Sequence, residues 1–206
     1  MANTNAPYGF RQYQGTGSAP TYEQTVMSIA SNNTTAIFFG DPVAQLSTGY
    51  ISTVSISGTA AITGIFVGCK YLSVAQKRVV WSNYWPGSDA NGDVTAYVIT
   101  DPNAQFIVQT ANSNTTATAV GLTNVGNNIG FAIGTGNTAN GISGAYADQN
   151  TINTTATLPF RITALANYTP GSTSPLVSIN GNDNTSAYNA IIVTFNNAST
   201  KSLTGI

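Results

Sequence analysis

Short β-prone runs alternate with turn-forming residues along the chain, and this alternation constrains the fold more than any other feature. β-branched and aromatic residues dominate the runs, as is typical of strands. Between the runs stand dipeptides such as Asn91-Gly92 and Asn140-Gly141, which favour the positive backbone angles of tight hairpin turns. No window keeps the i, i+3, i+4, i+7 apolar spacing of an amphipathic helix. The pattern therefore predicts an all-β fold.

The strand signal recurs often enough to build one closed or layered body. The 206 residues suffice for a single domain that buries about 70% of its extended-chain surface. We predict a single β-barrel- or sandwich-like body of roughly ten or more short strands. The predicted strands are Val26–Ile29, Ala36–Phe39, Tyr50–Ile56, Ile62–Val67, Val79–Trp81, Val94–Thr100, Gln105–Gln109, Pro159–Leu165, Leu176–Ile179 and Ala190–Phe195.

Residues 1–24 are predicted to form an extended N-terminal arm ahead of the β-rich body, residues 25–206. Glycine and proline interrupt regular structure there, yet the segment carries more aromatic side chains than a linker needs. Such an arm docks either on its own body or on a partner, and we expect the partner. Aromatic and arginine side chains are the usual hot spots of protein interfaces; the candidate docking residues are Tyr8, Phe10, Arg11, Tyr13 and Tyr22. On this interpretation, deleting residues 2–16 leaves the fold intact.

Residues 111–157 differ in composition from the rest of the body. They are rich in Asn, Thr, Gly and Ala, and Asp148 is their only charged residue. A structureless loop of that length is uncommon in a compact domain. We therefore predict an insertion-like region whose apolar residues form short strands or a turn of helix against the body.

Charge argues against two classes of partner. Only 6% of residues are charged, and the net charge is −1. A nucleic-acid-binding surface needs clustered Lys and Arg to neutralise phosphates, and the six cations are dispersed along the chain. No stretch approaches the roughly 18 apolar residues of a membrane helix. We therefore expect neither nucleic acid nor membrane as a partner.

The absence of histidine limits the available chemistry. It excludes Ser-His-Asp and Cys-His catalytic sites and His-ligated metals. It also leaves no side chain with an ordinary pKa between 5 and 8, so we expect stability to be nearly flat across that range. The single cysteine, Cys69, cannot form an intrachain disulfide and is interpreted as a small buried hydrophobe. We predict no cofactor, no metal and no catalytic residue.

The acidic residues offer one metal-like motif. Asp89-Ala-Asn-Gly-Asp93 begins like a calcium loop, but Val94 and Thr100 stand where that motif needs Gly and Glu. The segment therefore favours a turn. A carboxylate pair assembled in space, as in glycoside hydrolases, stays open as an enzymatic alternative.

One aromatic cluster is a candidate surface-binding site. Trp81, Tyr84 and Trp85 stand close together, just ahead of the acidic turn. Aromatic faces beside Asp and Asn side chains can stack on sugars and bind their hydroxyl groups. The opposing interpretation is that these rings fill the core, since each buries 150–250 Å². We favour the core and keep binding as the alternative.

Several motifs resemble those of head decoration, or cement, proteins of tailed bacteriophages. The similarity covers most of the chain, although each motif is short. It is carried by Asn5-Ala-Pro-Tyr-Gly-Phe-Arg11, Phe39-Gly-Asp-Pro-Val43, Ile62-Thr-Gly-Ile-Phe-Val-Gly-Cys-Lys-Tyr71, Tyr84-Trp-Pro-Gly87, Ala96-Tyr-Val-Ile-Thr-Asp-Pro102, Gly134-Thr-Gly-Asn-Thr138 and Leu158-Pro-Phe-Arg-Ile-Thr-Ala-Leu165.

The resemblance implies a structural virion protein that coats and stabilises an assembled capsid without catalysis. It implies the major capsid protein as partner, a homotrimer at three-fold positions, and a location on the capsid exterior after synthesis in the host cytoplasm. A lone free cysteine suits that reducing compartment. A receptor- or glycan-binding module of a phage fibre or head spike is the alternative function.

Overall fold

A computed structural model describes residues 2–14, 23–54, 61–166 and 182–201 of the chain. Strands account for nearly all of its regular structure, and the all-β prediction is confirmed. The described residues form twelve strands: β1 Arg11–Gln14, β2 Thr25–Ile29, β3 Pro42–Gln45, β4 Ile51–Thr53, β5 Gly64–Leu72, β6 Val79–Ser82, β7 Val94–Ile99, β8 Gln105–Ala111, β9 Asn128–Asn137, β10 Ile142–Asn153, β11 Phe160–Leu165 and β12 Ala190–Phe195. Two short 3₁₀ turns, Leu122–Asn124 and Ser199–Lys201, complete the set.

The first sheet closes on itself. Its strands run in the order β1-β8-β10-β9-β11-β12, and an additional pairing joins β12 back to β8. Strands β8, β10, β9, β11 and β12 therefore form a ring, while β1 pairs antiparallel with the first half of β8. Closure removes the free edges of the ring strands, a common solution in all-β proteins.

The second sheet is open. Its strands run in the order β2-β7-β5-β3-β4, and β6 pairs with the second half of β5. In β5, residues Phe66, Cys69 and Tyr71 face a core under this sheet, whereas Lys70 and Leu72 are exposed. A register shift between Phe66 and Gly68 in the pairing with β7 marks a β-bulge.

Two hydrophobic clusters hold the body together. The larger fills the ring and contains five phenylalanines, and it also takes in Ile65 and Ile99 from the second sheet. Rings of neighbouring strands contact one another in it, with Phe106 and Phe195 5.1 Å apart between centroids. The smaller cluster lies under the second sheet around Trp85. Because Ile65 and Ile99 join the larger cluster, the two sheets pack as one body.

Residues 111–157 are integral to the ring and do not form an insertion. The predicted strands and turn of helix are confirmed in this region, but the strands are longer than expected. These residues supply β9 and β10, the two longest described strands. The hairpin between them turns at Asn140-Gly141, where Gly141 adopts φ +70°. Glycine recurs in these strands because their backbones lie too close for side chains: a Cβ on Gly134 would lie 2.7 Å from the carbonyl oxygen of Gly144.

Most of the other predicted strands are confirmed. Val94–Thr100 and Ala190–Phe195 match β7 and β12 within one residue. Ala36–Phe39 is wrong as a ladder strand, because Ile37 and Phe39 make only isolated bridges, to Trp85 and Ile142. Leu176–Ile179 lies outside the described residues.

The N-terminal segment is part of the body rather than a free arm. Phe10 is 1% exposed and stacks on Phe160 at 4.4 Å between ring centroids. The Phe10 amide donates to the Gly40 carbonyl oxygen at 2.9 Å, and the Gly9 amide donates to the Ala145 carbonyl oxygen at 3.1 Å. Residues 11–14 then form β1. Residues 2–14 therefore follow the alternative prediction, in which the segment docks on its own body and not on a partner.

Candidate functional site

The predicted docking residues of the N-terminal segment differ in how exposed their side chains are. Phe10 is buried in the core and cannot serve a partner, which corrects its assignment. Tyr8 is partly buried, and that burial raises the pKa of its phenol. Tyr13 on β1 is 44% exposed, and Tyr22 lies outside the described residues.

Arg11 is engaged within its own chain. Its Nε donates to the Tyr8 carbonyl oxygen at 3.2 Å. Its guanidinium carbon lies 4.5 Å from the centroid of the Phe39 ring, a cation–π geometry. Partial burial lowers the pKa of Arg11. The predicted docking of Arg11 on a partner would therefore require the side chain to leave both contacts.

Trp81, Tyr84 and Trp85 do not form one cluster. Trp85 is fully buried and meets Tyr71 edge to face at 5.1 Å between ring centroids. Tyr84 stacks on Phe38 at 5.4 Å. Trp81 is 66% exposed. The core interpretation is confirmed for Trp85, and the surface interpretation is left to Trp81.

Trp81 stacks on Tyr97, which lies on another strand of the same sheet. Trp81 is aligned with Lys70 of β5, and Tyr97 of β7 is aligned with Gly68 of β5, so both rings rise from one face of the second sheet. The two rings lie nearly parallel, 5.6 Å apart between centroids with an interplanar angle of 12°. Lys70 Nζ lies 5.1 Å from the Trp81 ring.

An open cleft of about 400 Å³ lies at this ring pair. We call it the Trp81 cleft; its lining includes Gln24, Gly68, Trp81, Ser82, Asn83 and Tyr97. Gly68 belongs to the bulge of β5, and a Cβ there would lie 2.9 Å from the Ser82 carbonyl oxygen. The absence of a side chain at Gly68 therefore leaves room on β5 beneath the two stacked rings.

Sequence reasoning missed Tyr97, Gln24 and Asn83. A signal for Tyr97 was present: in β7, Val94, Ala96 and Val98 are buried and alternate with Thr95 and Tyr97. A large aromatic ring on the polar side of such a strand favours a surface role. No local signal marks Gln24 or Asn83, because their place depends on how β2 and β6 join the sheet.

A second cleft, of about 430 Å³, lies between the loop after β2 and the β3–β4 hairpin. Three of its polar side chains are already bonded to neighbours. Tyr50 donates its hydroxyl proton to Asp93 at 2.8 Å, and Asn33 Nδ2 lies 3.4 Å from Ser52 Oγ. This cleft therefore presents less unsatisfied hydrogen-bonding capacity than its composition suggests.

The acidic segment Asp89–Asp93 is bonded to the connection that follows β5. Asp89 accepts from Ser73 Oγ at 2.7 Å and from the Ala75 amide at 2.9 Å. These bonds lower the pKa of Asp89. The segment only bends at Asn91-Gly92, and the prediction of a hairpin turn is wrong, because Ala90 and Thr95 on either side of the bend pair with Ser73 and Lys70 at the end of β5. Among the described residues, no three His, Cys, Asp or Glu side chains group as metal ligands. Within that part of the chain, no helix is long and apolar enough to cross a bilayer.

Cys69 is buried, at 1% exposure, and burial raises the pKa of its thiol to about 12. The thiol lies 3.5 Å from the Tyr84 carbonyl oxygen. Nucleophilic chemistry requires the thiolate, which this environment disfavours. The interpretation of Cys69 as a buried hydrophobe is confirmed.

Asp41 is a buried carboxylate at the crossing of the N-terminal segment. It is 1% exposed, accepts from Ser143 Oγ at 2.5 Å and accepts from the Phe38 amide at 2.7 Å. Burial raises the pKa of Asp41 to about 6, although both hydrogen bonds act in the opposite direction. Desolvation disfavours the charged form more than two donors favour it.

Asp41 therefore overturns the expectation of stability that is flat with pH. The folded state favours the protonated carboxyl of Asp41. The stabilisation that comes from this group is therefore fully present below the pKa of the unfolded chain, 3.8, and is lost as the pH rises through about 6. We expect the free energy of unfolding to be about 1 kcal/mol larger at pH 5 than at pH 7.5. Urea denaturation at both pH values measures this.

The variant Asp41→Asn is the matched control. Its amide can accept from the Phe38 N–H and donate to Ser143 Oγ, so the shape and both bonds persist without a titrating group. The pH dependence between 5 and 7.5 should disappear. An equal dependence in both proteins would assign it to another group.

Comparisons with protein-family models, curated proteins and solved structures found no match to this chain.

Proposed function

We propose that the chain is a structural virion protein that decorates and stabilises a bacteriophage capsid without catalysis. Three features support this: a rigid all-β body, a surface with very little charge, and the motifs that resemble head decoration proteins. The partner is the major capsid protein, and the place of action is the exterior of the virion. Synthesis in the host cytoplasm suits the buried free thiol.

The observation that carries the proposal is the position of β1. Within the described residues β1 is the terminal strand of the first sheet and pairs with β8. Aromatic side chains that stay exposed on a folded body are typical anchors of a contact with another protein. Tyr13 stands on β1 with 44% of its surface exposed and would anchor such a contact. We therefore limit the proposed docking surface, first predicted for the whole N-terminal segment, to β1.

The motifs that carry the resemblance occupy packing positions. Gly9 and Gly40 allow two backbone segments to cross, since a Cβ on Gly9 would lie 2.9 Å from the Gly40 carbonyl oxygen. Asp41 ties this crossing to Ser143. Trp85 fills the smaller core. The resemblance therefore concerns how the body folds, and the contact surface needs its own test.

A homotrimer is the proposed assembly, chiefly by resemblance. Closed cyclic symmetry is the common arrangement of homo-oligomers. Exposed apolar side chains such as Val26, at 63%, and Val79, at 54%, offer surface for such contacts. Light scattering that gives a monomer both in solution and after elution from capsids would contradict the trimer.

Capsid binding is tested by co-sedimentation with purified capsids that lack this protein. We expect Tyr13→Ala to weaken binding about tenfold, as for one lost hot spot, while the melting temperature stays unchanged. Leu122→Ala is the matched control, because Leu122 is similarly exposed, at 48%, and lies on a 3₁₀ turn away from β1.

Wild-type protein that fails to sediment with the capsids would contradict the proposed function. Wild-type binding that Tyr13→Ala leaves unchanged would keep the function and remove β1 as the contact.

A further inference from the structure

The Trp81 cleft combines features that none of the packing arguments above requires. Trp81 keeps 66% of its surface exposed, although indole rings normally contribute most when buried. It lies parallel to Tyr97 at a cleft whose volume, about 400 Å³, falls within the range of ligand sites, about 300–1,000 Å³. Amide and hydroxyl side chains line the same cleft.

We propose that the Trp81 cleft binds a neutral saccharide. A pyranose ring presents one face of C–H groups, which packs on the electron-rich face of an aromatic ring. Its hydroxyl groups both donate and accept hydrogen bonds. The side-chain amides of Gln24 and Asn83 offer both functions as well, so the two kinds of lining residue match the two sides of a sugar.

Charge selects the class of saccharide. The residues that line the cleft are all uncharged. The cation beside them, Lys70, lies over the Trp81 ring with its Nζ 5.1 Å from the centroid. A neutral ligand would leave no charge buried without a partner, which is the costly outcome in a binding site. Sugars that bear carboxylate or sulfate groups are therefore not the expected class.

The site is organised before a ligand arrives. Asn83 Nδ2 donates to the Asn140 carbonyl oxygen at 2.6 Å, which fixes the orientation of that amide. The bulge at Gly68 sets the floor and brings Trp81 and Tyr97 together across β5. A preformed site loses less side-chain entropy on binding. This function is independent of capsid docking, because the Trp81 cleft and β1 share no residue.

Tryptophan fluorescence tests the proposal directly. The chain has two tryptophans; Trp85 is fully buried and Trp81 is exposed, so a ligand in the cleft should change the Trp81 emission alone. The probes are maltohexaose, cellohexaose, N-acetylchitohexaose and galactose-based hexasaccharides, with sialylated and sulfated oligosaccharides as the charged comparison, each titrated to 10 mM. We expect at least one to give a saturable change.

Variants locate the binding. Trp81→Ala should weaken binding, measured by calorimetry, at least tenfold, while Trp81→Phe should keep part of it because a ring remains. Gln24→Ala and Asn83→Ala should each weaken binding about threefold to tenfold, as expected for one lost polar contact. Leu122→Ala, on a distant exposed turn, should bind as wild type does. Unchanged Trp85 emission in Trp81→Ala shows that the fold persists.

Three outcomes overturn the proposal. The first is no saturable response to any of the neutral hexasaccharides. The second is binding that survives Trp81→Ala and Tyr97→Ala, which would place it elsewhere on the protein. The third is a response restricted to sialylated or sulfated oligosaccharides, which would assign the cleft to anions through Lys70.

Discussion

Replacing Phe10 by alanine should destabilise the protein by about 3–5 kcal/mol, the usual cost of removing a fully buried phenylalanine. The ring is 1% exposed. It stacks on Phe160 at 4.4 Å and meets Phe131 edge to face at 6.2 Å between centroids. Its removal would leave a cavity in the middle of the larger core, between β9 and β11. Urea denaturation followed by far-UV circular dichroism measures the loss.

Tyr13→Ala is the matched control for Phe10→Ala. Tyr13 lies three residues further along the same segment but is 44% exposed, so its truncation should change stability by less than about 0.5 kcal/mol. Equal unfolding midpoints for the two variants would contradict the structure and restore the free-arm interpretation. The deletion of residues 2–16 should likewise destabilise the fold, because it removes Phe10 and β1 together.

The sequence left the fate of the N-terminal segment open because the deciding contacts are non-local. Phe10 enters the core only because the backbone at Gly9 crosses Gly40 and Ser143. A Cβ on Gly9 would lie 2.8 Å from Ser143 Cβ, and Gly9 adopts φ +77°. The sequence of residues 1–24 alone does not show that Ser143 packs against Gly9. Aromatic residues among Gly and Pro are equally typical of a docked segment and of a docking one.

Strand prediction succeeded where the local pattern carried the information. β7 and β12 are rich in β-branched residues, and their bounds follow from that composition. The bounds of β9 and β10 were not predicted because glycines interrupt their strand pattern, and those glycines are required by contacts that form only on folding, some across the hairpin and some with distant segments. Gly136, for example, lies against the ring of Phe38 and has no room for a Cβ. Because glycine is required at such positions, the sequence of a paired strand resembles that of a loop rich in turns.

For a similar reason, the sequence predicted only part of the candidate site: Trp81 was identified, but its partner was not. Trp81 and Trp85 have the same parity along an extended chain, so alternation alone places them on one face. The chain leaves β6 after Ser82, and the bridge between Ile37 and Trp85 turns Trp85 inward. The true partner of Trp81 is Tyr97, which becomes adjacent only when β6 and β7 flank β5.

Asp41 shows how burial changes chemistry that composition describes as simple. A chain without histidine is expected to be indifferent to pH near neutrality. The carboxyl of Asp41 is buried by the tertiary structure and bonded to Ser143, which is 102 residues away in the chain. Burial raises its pKa, although the bond from Ser143 acts in the opposite direction. Indifference to pH is therefore a property of the tertiary structure as much as of the residue types.

Asn189 is the second position at which a single change should have a large effect. It is fully buried and holds the backbone of Val120 on both sides. Its Oδ1 accepts from the Val120 amide at 3.0 Å, and its Nδ2 donates to the Val120 carbonyl oxygen at 3.0 Å. The same Oδ1 lies 3.2 Å from Thr110 Oγ1. One side chain thus fastens the segment between β8 and β9 to the start of β12.

Replacing Asn189 by alanine should therefore destabilise the protein by about 2–4 kcal/mol. The change leaves the buried N–H and C=O groups of Val120 without partners, and each such group costs about 1–3 kcal/mol. Asn114→Ala is the control, since Asn114 is an exposed asparagine in the same connecting segment, and its replacement should fall within about 0.5 kcal/mol of wild type. Denaturant unfolding gives the difference.

Hydrogen exchange separates this local fastening from a general weakening of the core. In the wild type, the Val120 amide should exchange slowly because it is bonded to a buried side chain. In Asn189→Ala it should exchange faster by more than the loss of global stability accounts for, while the amide of Ile191 in β12 should follow global unfolding alone. If the two amides accelerate by the same factor, Asn189 stabilises the whole body without fastening the Val120 segment. If neither accelerates, the bonds to Val120 contribute no stability, and the two-sided bridge loses the role assigned to it.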